Sequence, residues 1–282
     1  MERAACKCPK SLLVLFFLFF PLGVVLAQQM ALPPAYAHND YWHKHPFYDA
    51  HSKGFTHMEA DIFLRGRRLL VAHTFPFLGK RRTLDSLYLA PLSRHLHSKQ
   101  GQSPTAMDTL LLMIDIKSEG EKALQTLKRY LEEHRSLLST YENGRFVRRQ
   151  LTIVLTGHRP LPTLRTEATP YLFVDEHLPH VNHDTAFAAM YATASCKYSR
   201  LLQWKGKGPM PSEERARLID LVEKAHLNGK KVRLWASPEN ETVWTELLRC
   251  GVDLINTDRL EDFHHFFTRT RTDLAAIHTQ DE

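Results

Sequence analysis

Short apolar runs rich in β-branched residues recur along the chain after residue 30, and stretches with helical periodicity separate most of them. This alternation is typical of a parallel α/β sheet or barrel, in which each helix returns the chain to the start of the next strand. Eight runs are expected to be strands: residues 35–38, 58–64, 110–116, 151–155, 171–174, 188–192, 232–236 and 254–256. The pattern therefore predicts an α/β fold, and eight strands permit a TIM (β/α)8 barrel without requiring one.

The same pattern predicts one hairpin and three long helices. A further apolar run at residues 69–73 is expected to pair antiparallel with the second strand, through a tight turn at Arg65-Gly66-Arg67. Helical periodicity is clearest over residues 119–138, 212–228 and 241–249. Because no linker rich in Pro, Gly or Ser separates these elements, we expect one domain.

The first thirty residues differ from everything downstream. A short basic start precedes an apolar run at residues 12–26, and Val25-Leu26-Ala27 has the small residues of a cleavage site. We expect residues 1–27 to be a signal peptide and residues 28–282 to be a single barrel domain, secreted or periplasmic after cleavage. The alternative is an uncleaved membrane anchor, but Pro21 and Gly23 interrupt a run shorter than the roughly 20 residues of a span.

Charge and cysteine content narrow the possible partners. A net charge of +6 and a pI near 9.1 favour anionic partners, among them phosphate esters, anionic lipid surfaces and nucleic acid. The basic residues are scattered and are not interleaved with aromatic residues, so no nucleic acid partner is expected. Cys196 and Cys250 are the only cysteines after the signal segment, which permits one disulfide and excludes a disulfide framework.

Most polar residues that could carry chemistry stand at the carboxyl ends of the expected strands, where barrel enzymes place their active sites. They are His38 and Asn39 after strand one, Glu59 and Asp61 in strand two, His73 after the extra run, and Asp115 and Lys117 in strand three. Residues two apart in a strand project to the same side, so Glu59 and Asp61 are expected to form one carboxylate face.

Hydrolysis of a phosphodiester requires charge neutralisation at the non-bridging oxygens, a base and an acid. Three carboxylates suit Mg²⁺ or Ca²⁺, which prefer oxygen ligands. They belong to Glu59, Asp61 and Asp115. Histidine has an unperturbed pKa near ~6.5, so one of His38 and His73 can begin as base and the other as acid. Lys117 would add positive charge beside the phosphoryl group.

The motif order H-N-D, E-A-D, H and D-I-K resembles the glycerophosphodiester phosphodiesterase superfamily, which includes phosphatidylinositol-specific phospholipases C and sphingomyelinase D-like toxins. The resemblance covers nearly the whole chain after the signal segment and implies a TIM barrel. It also implies that His38 and His73 are the acid and base pair and that Glu59 and Asp61 bind the metal. The fuller string A-H-N-D-Y-W, with E-A-D-I and L-L-V-A-H, resembles most the branch named for altered inheritance of mitochondria.

Two positions depart from the usual glycerophosphodiesterase pattern. Asn39 stands where those enzymes have arginine and matches the metal-binding H-N of eukaryotic phospholipases C, so the resemblance makes Asn39 a candidate metal ligand. Asp115 and Lys117 follow the D-x-K of the toxin-like members instead of E-x-K. These departures leave the substrate open while keeping the reaction type.

The expected function is a metal-dependent phosphoric diester hydrolase, acting on a glycerophosphodiester or a phospholipid head group. A cyclic phosphate forms first where the nucleophile is an adjacent substrate hydroxyl. We expect a monomer that makes peripheral contact with a membrane surface. The alternative is a non-catalytic barrel that binds phosphate esters or lipids at the same mouth.

Four further residues complete the sequence-based expectations. Trp235 either lines the substrate pocket, as the resemblance suggests, or fills the core. Asp175 and Glu176 are equally compatible with the pocket and with the surface. Asp258 is expected to cap the turn into the last helix.

Overall fold

Short buried strands joined by helices make up the molecule. The computed structural model describes residues 32, 34–74, 81–98 and 105–278, and the expected signal peptide lies outside them. The strands are β1 (Ala35–Ala37), β2 (His57–Arg65), β3 (Arg68–Val71), β4 (Leu110–Ile116), β5 (Thr140–Glu142), β6 (Arg145–Val147), β7 (Leu151–Gly157), β8 (Leu172–His177), β9 (Tyr191–Lys197), β10 (Lys231–Trp235) and β11 (Leu254–Thr257).

Eight of these strands close into a parallel barrel. The main sheet has nine strands in the order β1-β11-β10-β9-β8-β7-β4-β2-β3, and only β3 is antiparallel to its neighbour. The barrel closes because β1 pairs with β11 on one side and with β2 on the other, with Ala37 opposite Thr257 and Met58. The predicted TIM-type barrel is therefore confirmed.

The two antiparallel pairings lie outside the barrel repeat. β3 folds back on β2 through a turn that contains Gly66 at a φ of 61°, which confirms the predicted hairpin. β5 and β6 form a separate two-stranded hairpin before β7.

The helices are α1 (Tyr48–His51), α2 (Ala90–Ser98), α3 (Gly120–Glu132), α4 (Leu161–Leu164), α5 (Tyr198–Leu201), α6 (Ser212–His226), α7 (Glu241–Arg249) and α8 (Leu260–His278). α7 has the predicted bounds, and α6 ends two residues before the predicted Asn228. The predicted helix over residues 119–138 was too long. α3 ends at Glu132 and a 3-10 turn follows, because Leu138 must reach Leu151 to form a bridge beside β7.

The sixth strand differs from its expected position. Residues 185–190 form a 3-10 helix, and β9 begins at Tyr191 instead of Ala188. The apolar run that suggested the earlier start packs as part of this helix. The strand itself carries Thr193 and Ser195, whose hydroxyls donate to Asp175 inside the barrel, so its inner face is polar.

Contacts across the barrel define which side chains face its interior. On β2 and β10, which are not neighbours, the alternating residues meet in pairs: Lys231 Nζ lies 3.1 Å from His57 Nε2, and Arg233 Nη1 donates to Glu59 Oε2 at 3.0 Å. Asp61 and Trp235 continue the same faces towards the carboxyl ends. The barrel interior is therefore polar in successive layers, while the outer faces of the strands pack on the helices.

The described ranges contain no helix that combines the length and the hydropathy required to cross a bilayer. Cys196 and Cys250 are both buried free thiols.

Gly120 at the start of α3 offers a test of how closely this helix packs on the loop after β7. An added Cβ there would overlap the backbone carbonyl oxygen of His158, in the loop after β7. Helix propensity alone would make Gly→Ala stabilising by about 0.5–1 kcal/mol. We expect the clash to prevail, so that Gly120→Ala lowers the free energy of unfolding by about 1–3 kcal/mol in urea denaturation. The exposed Gln125→Ala in the same helix is the control and should leave stability nearly unchanged; a stabilised Gly120→Ala would contradict the packing.

Candidate active site

Three carboxylates meet at the carboxyl ends of β2 and β4. One carboxylate oxygen of each lies within 4.8 Å of the others. The three residues are Glu59, Asp61 and Asp115. Glu59 and Asp61 share a face because they are two apart on β2, and the β2–β4 register places Asp61 directly opposite Asp115. The structure thus brings together the acids that the sequence selected.

Two cations partly neutralise this cluster. Arg233 Nη1 lies 3.0 Å from Glu59 Oε2, and the Tyr36 hydroxyl donates to the same oxygen at 3.2 Å. Burial alone would raise the pKa of Glu59, but the buried Arg233 guanidinium outweighs it and the pKa lies below its ordinary value. Lys117 Nζ is 2.6 Å from Asp115 Oδ2 and 3.2 Å from Asp61 Oδ2.

The cluster still carries more negative charge than its partners neutralise. Burial, followed by the charge of Glu59, raises the pKa of Asp61 to about 6. Asp115 Oδ1 is buried without a hydrogen-bond partner, in space left open by Gly157, whose φ is 71°. A hard divalent cation would supply both the missing charge and a partner for this oxygen, so the donor set fits Mg²⁺ or Ca²⁺.

His38 stands beside this cluster and is oriented by Asp258. Its Nδ1 lies 2.8 Å from Asp258 Oδ1, and its Nε2 lies 4.0 Å from Glu59 Oε2. Burial lowers the pKa of His38, but the hydrogen bond to Asp258 and the charge of Glu59 outweigh this effect and raise the pKa above its ordinary value. Glu239 fixes the segment by accepting from the Asp258 backbone N–H at 3.1 Å. The expected capping role of Asp258 was wrong, since its carboxylate faces His38.

His73 approaches the cluster from the end of the β3 segment. Its Nδ1 lies 3.1 Å from Asp61 Oδ2, and its side chain is 48% exposed. The ring packs edge-to-face on Trp42, with centroids 5.5 Å apart. The two histidines therefore flank the same carboxylates, one held by Asp258 and the other open to solvent.

Tyr41 links Asn39 to the carboxylates. Its hydroxyl lies 2.6 Å from Asn39 Oδ1 and 2.9 Å from Asp61 Oδ2, and burial raises its pKa so that it stays protonated. Asn39 is 3% exposed and adopts a left-handed backbone conformation, with φ 46° and ψ 33°. Its amide oxygen accepts from Tyr41 and keeps a second lone pair that could bind a cation.

The remaining candidates fall in two groups. Trp235 lies at the same end of the barrel and is 37% exposed, so it does not fill the core, and Lys197 Nζ is 5.9 Å from the centre of its ring. Asp175 and Glu176 are both buried and do not lie on the surface. Asp175 accepts from hydroxyls of β9, and Glu176 pairs with the fully buried Lys230 at 2.5 Å.

Sequence reasoning assigned the wrong role to one residue of this site and missed two others. Asp258 follows strand eight, and the strand-end rule that selected the other acids applied to it equally. Arg233 was visible as a charge in the middle of an apolar strand, which signals a buried partner. Tyr41 lies within the H-N-D-Y-W string but outside a strand, so no periodicity indicated its direction.

The hydrogen bond between His38 and Asp258 predicts a shift in titration. In Asp258→Asn the carboxylate charge is lost, so the pKa of His38 should fall relative to the unmodified protein. Histidine side-chain NMR of the metal-free protein measures this, with His264, on α8, as the internal reference. An unchanged His38 titration in Asp258→Asn would show that Asp258 does not set its proton affinity.

Two protein-family models match parts of this chain. Residues 26–175, more than half of the chain, match the family described as AIM6-like phosphodiesterase domain, and residues 231–261 match the glycerophosphoryl diester phosphodiesterase family. A solved glycerophosphodiester phosphodiesterase from Agrobacterium tumefaciens is 12% identical, with a TM-score of 0.45 over 83% of this chain and 100% of that one.

Proteins named for altered inheritance of mitochondria are similar to most of this chain. Altered inheritance of mitochondria protein 6 from Eremothecium gossypii is 30% identical over 83% of this chain and 69% of its own. Its homolog from Arthroderma benhamiae is 29% identical over 83% of each chain, and the Saccharomyces cerevisiae S288c protein is 26% identical over 80% of this chain and 69% of its own. As the motif order predicted, the chain belongs to the AIM6-like phosphodiesterase family, in the glycerophosphodiester phosphodiesterase and phospholipase C-like superfamily.

Proposed function

We propose that the protein is a metal-dependent phosphoric diester hydrolase acting on a glycerophosphodiester or a phospholipid head group. The observation that carries the proposal is the placement of two imidazoles against one carboxylate cluster. His38 Nε2 lies 4.0 Å from Glu59, and His73 Nδ1 lies 3.1 Å from Asp61. Membership of a phosphodiesterase family supports the reaction class.

The carboxylates of Glu59, Asp61 and Asp115 would hold the cation. Asn39 would be a further oxygen donor. A bound Mg²⁺ or Ca²⁺ supplies positive charge to the non-bridging oxygens of the phosphoryl group. Lys117 contributes to the same end, because its ammonium contacts Asp61 and Asp115 and remains charged. Burial lowers the pKa of Lys117, but the two carboxylates outweigh this and raise it.

His38 is placed to act as the general base. If its Nδ1–H donates to Asp258, its Nε2 lone pair faces the cluster and can accept the proton of an attacking hydroxyl. Asp258 then stabilises the imidazolium that forms. His73 donates a proton to the leaving oxygen, and its open position suits contact with a released alcohol. An attacking hydroxyl on the substrate itself gives a cyclic phosphate, whereas water gives a monoester.

Exposed aromatic side chains near the site support contact with a lipid surface. Trp42 is 59% exposed beside His73, and Trp235 is 37% exposed at the end of β10. Tryptophan favours the boundary between water and apolar phases. Secretion after cleavage of residues 1–27 is part of the same proposal, because it would bring the enzyme to extracellular or periplasmic diesters.

The first test is turnover of a diester panel followed by phosphorus NMR. Glycerophosphodiesters, phosphatidylinositol and sphingomyelin analogues are offered with Mg²⁺ or Ca²⁺ and then with chelator. His38→Ala and His73→Ala should each reduce kcat by about 10²–10⁴-fold, because each removes one proton transfer. His265→Ala, an exposed change on α8, is the matched control.

Two outcomes would defeat the proposal. Turnover that survives both the chelator and His38→Ala would exclude the scheme. Saturable binding of these diesters without cleavage would establish the non-catalytic alternative instead.

Proton competition provides a second test of the metal site. Asp61 has a pKa of about 6 in the metal-free protein, so below that pH its carboxyl must release a proton before it can bind a cation. We therefore expect cation affinity to fall about tenfold for each pH unit below about 6 and to level off above it. Calorimetric titration with Mg²⁺ or Ca²⁺ measures this, and an affinity independent of pH across that range would remove Asp61 from the ligand set.

A further inference from the structure

A cavity, which we call the lower cavity, lies at the end of the barrel opposite the candidate active site. Its volume is about 510 Å³, within the range of small-molecule pockets. It is lined by the starts of β2, β4, β7, β8, β9 and β10, and one side is extended by the β5–β6 hairpin. Lys231 lies four residues before Trp235 on β10, so about 13 Å of strand separates the cavity from the other mouth.

A buried layer closes the barrel between the two ends. Arg233 is 3% exposed and spans from Glu59 to Asn256, with its guanidinium 4.5 Å from the centre of the Tyr36 ring. A molecule in the lower cavity would therefore meet neither the carboxylates nor the histidines of the candidate active site.

The walls of this cavity are apolar and aromatic. Phe146, from the hairpin, is 43% exposed and packs edge-to-face on Phe173 with centroids 5.1 Å apart. Tyr191 and Leu111 continue the lining. An exposed phenylalanine at the rim of a roomy apolar pocket is a surface that a bound apolar group would cover.

The polar groups of the cavity are cationic or neutral. Lys231 donates to His57 Nε2 at 3.1 Å, and burial lowers the pKa of Lys231. Neither Lys231 nor Arg148 forms an ion pair with a carboxylate in the described part of the chain. The nearby Asp253 is already engaged, since its Oδ2 lies 2.7 Å from both His226 Nε2 and the Val232 backbone N–H.

We propose that this lower cavity binds a small amphipathic anion, with its acidic head at Lys231 and Arg148 and its apolar body against Phe146 and Phe173. Charge complementarity selects an anion, and the aromatic wall selects an apolar body. The proposal does not depend on diester hydrolysis, because its residues lie at the other end of the barrel.

Binding of two related fluorescent probes tests this proposal. 1-Anilinonaphthalene-8-sulfonate carries an anionic head, whereas N-phenyl-1-naphthylamine has a similar apolar body without charge. Lys231→Met keeps the length of the side chain and removes its charge, so it should weaken binding of the anionic probe at least about tenfold and leave the neutral probe unaffected. Lys205→Met, an exposed lysine elsewhere, is the matched control and should change neither.

Competition identifies the head group, and further variants keep the test decisive. Displacement of the anionic probe by decanoate or decyl phosphate, but not by decanol, supports the proposal, and the stronger of the two acids identifies the head. Arg148→Met on the exposed hairpin repeats the test if Lys231→Met fails to fold. The proposal is overturned if the folded variants bind the anionic probe like wild type, or if decanol competes equally. Loss of probe binding at high protein concentration, together with a dimer in sedimentation velocity, would assign the cavity to a second copy and overturn it too.

Discussion

Closure of the barrel at β1 brings His38 and Asp258 to the mouth that holds the carboxylate cluster. This strand has three residues, all of them fully buried, and it pairs with both β2 and β11. Those registers place His38 next to Asp258, since each is the first residue beyond its strand. A slip of one residue would turn every side chain of β1 to the opposite face and move His38 out of the barrel mouth. The candidate site is thus a consequence of sheet register, not of any local motif alone.

Burial of charge inside the barrel is the second constraint. Removing an ion pair such as Glu59 and Arg233 from water costs desolvation energy that their attraction does not reliably offset. Stability alone therefore does not explain why this ion pair is buried. Arg233 also donates to Asn256 and covers the ring of Tyr36, while its Nε is buried without a hydrogen-bond partner. Its effect is to fix Glu59 in ionised form and to leave Asp61, with its raised pKa, as the acid that titrates.

The strand-end rule recovered most of the candidate site from the sequence because strand periodicity and side-chain direction are local properties. The rule could have placed Asp258 at the same mouth but could not pair it with His38, since that hydrogen bond joins residues 220 positions apart and depends on closure of the barrel. The sixth strand was misplaced for a related reason. Thr193 and Ser195 look like surface residues, but they face Asp175 inside the barrel, so the polar inner face concealed the strand.

The two ends of the barrel have opposite electrostatic character. Carboxylates dominate the mouth formed by the carboxyl ends of the strands, whereas Lys231 and Arg148 stand at the other end without an acidic partner among the described residues. The pair of Glu59 and Arg233 between them is internally neutral, and about 13 Å of strand separates the two ends. Charge alone therefore couples the ends weakly. Any stronger coupling would run along strands that contribute residues to all three layers, as β2 and β10 do.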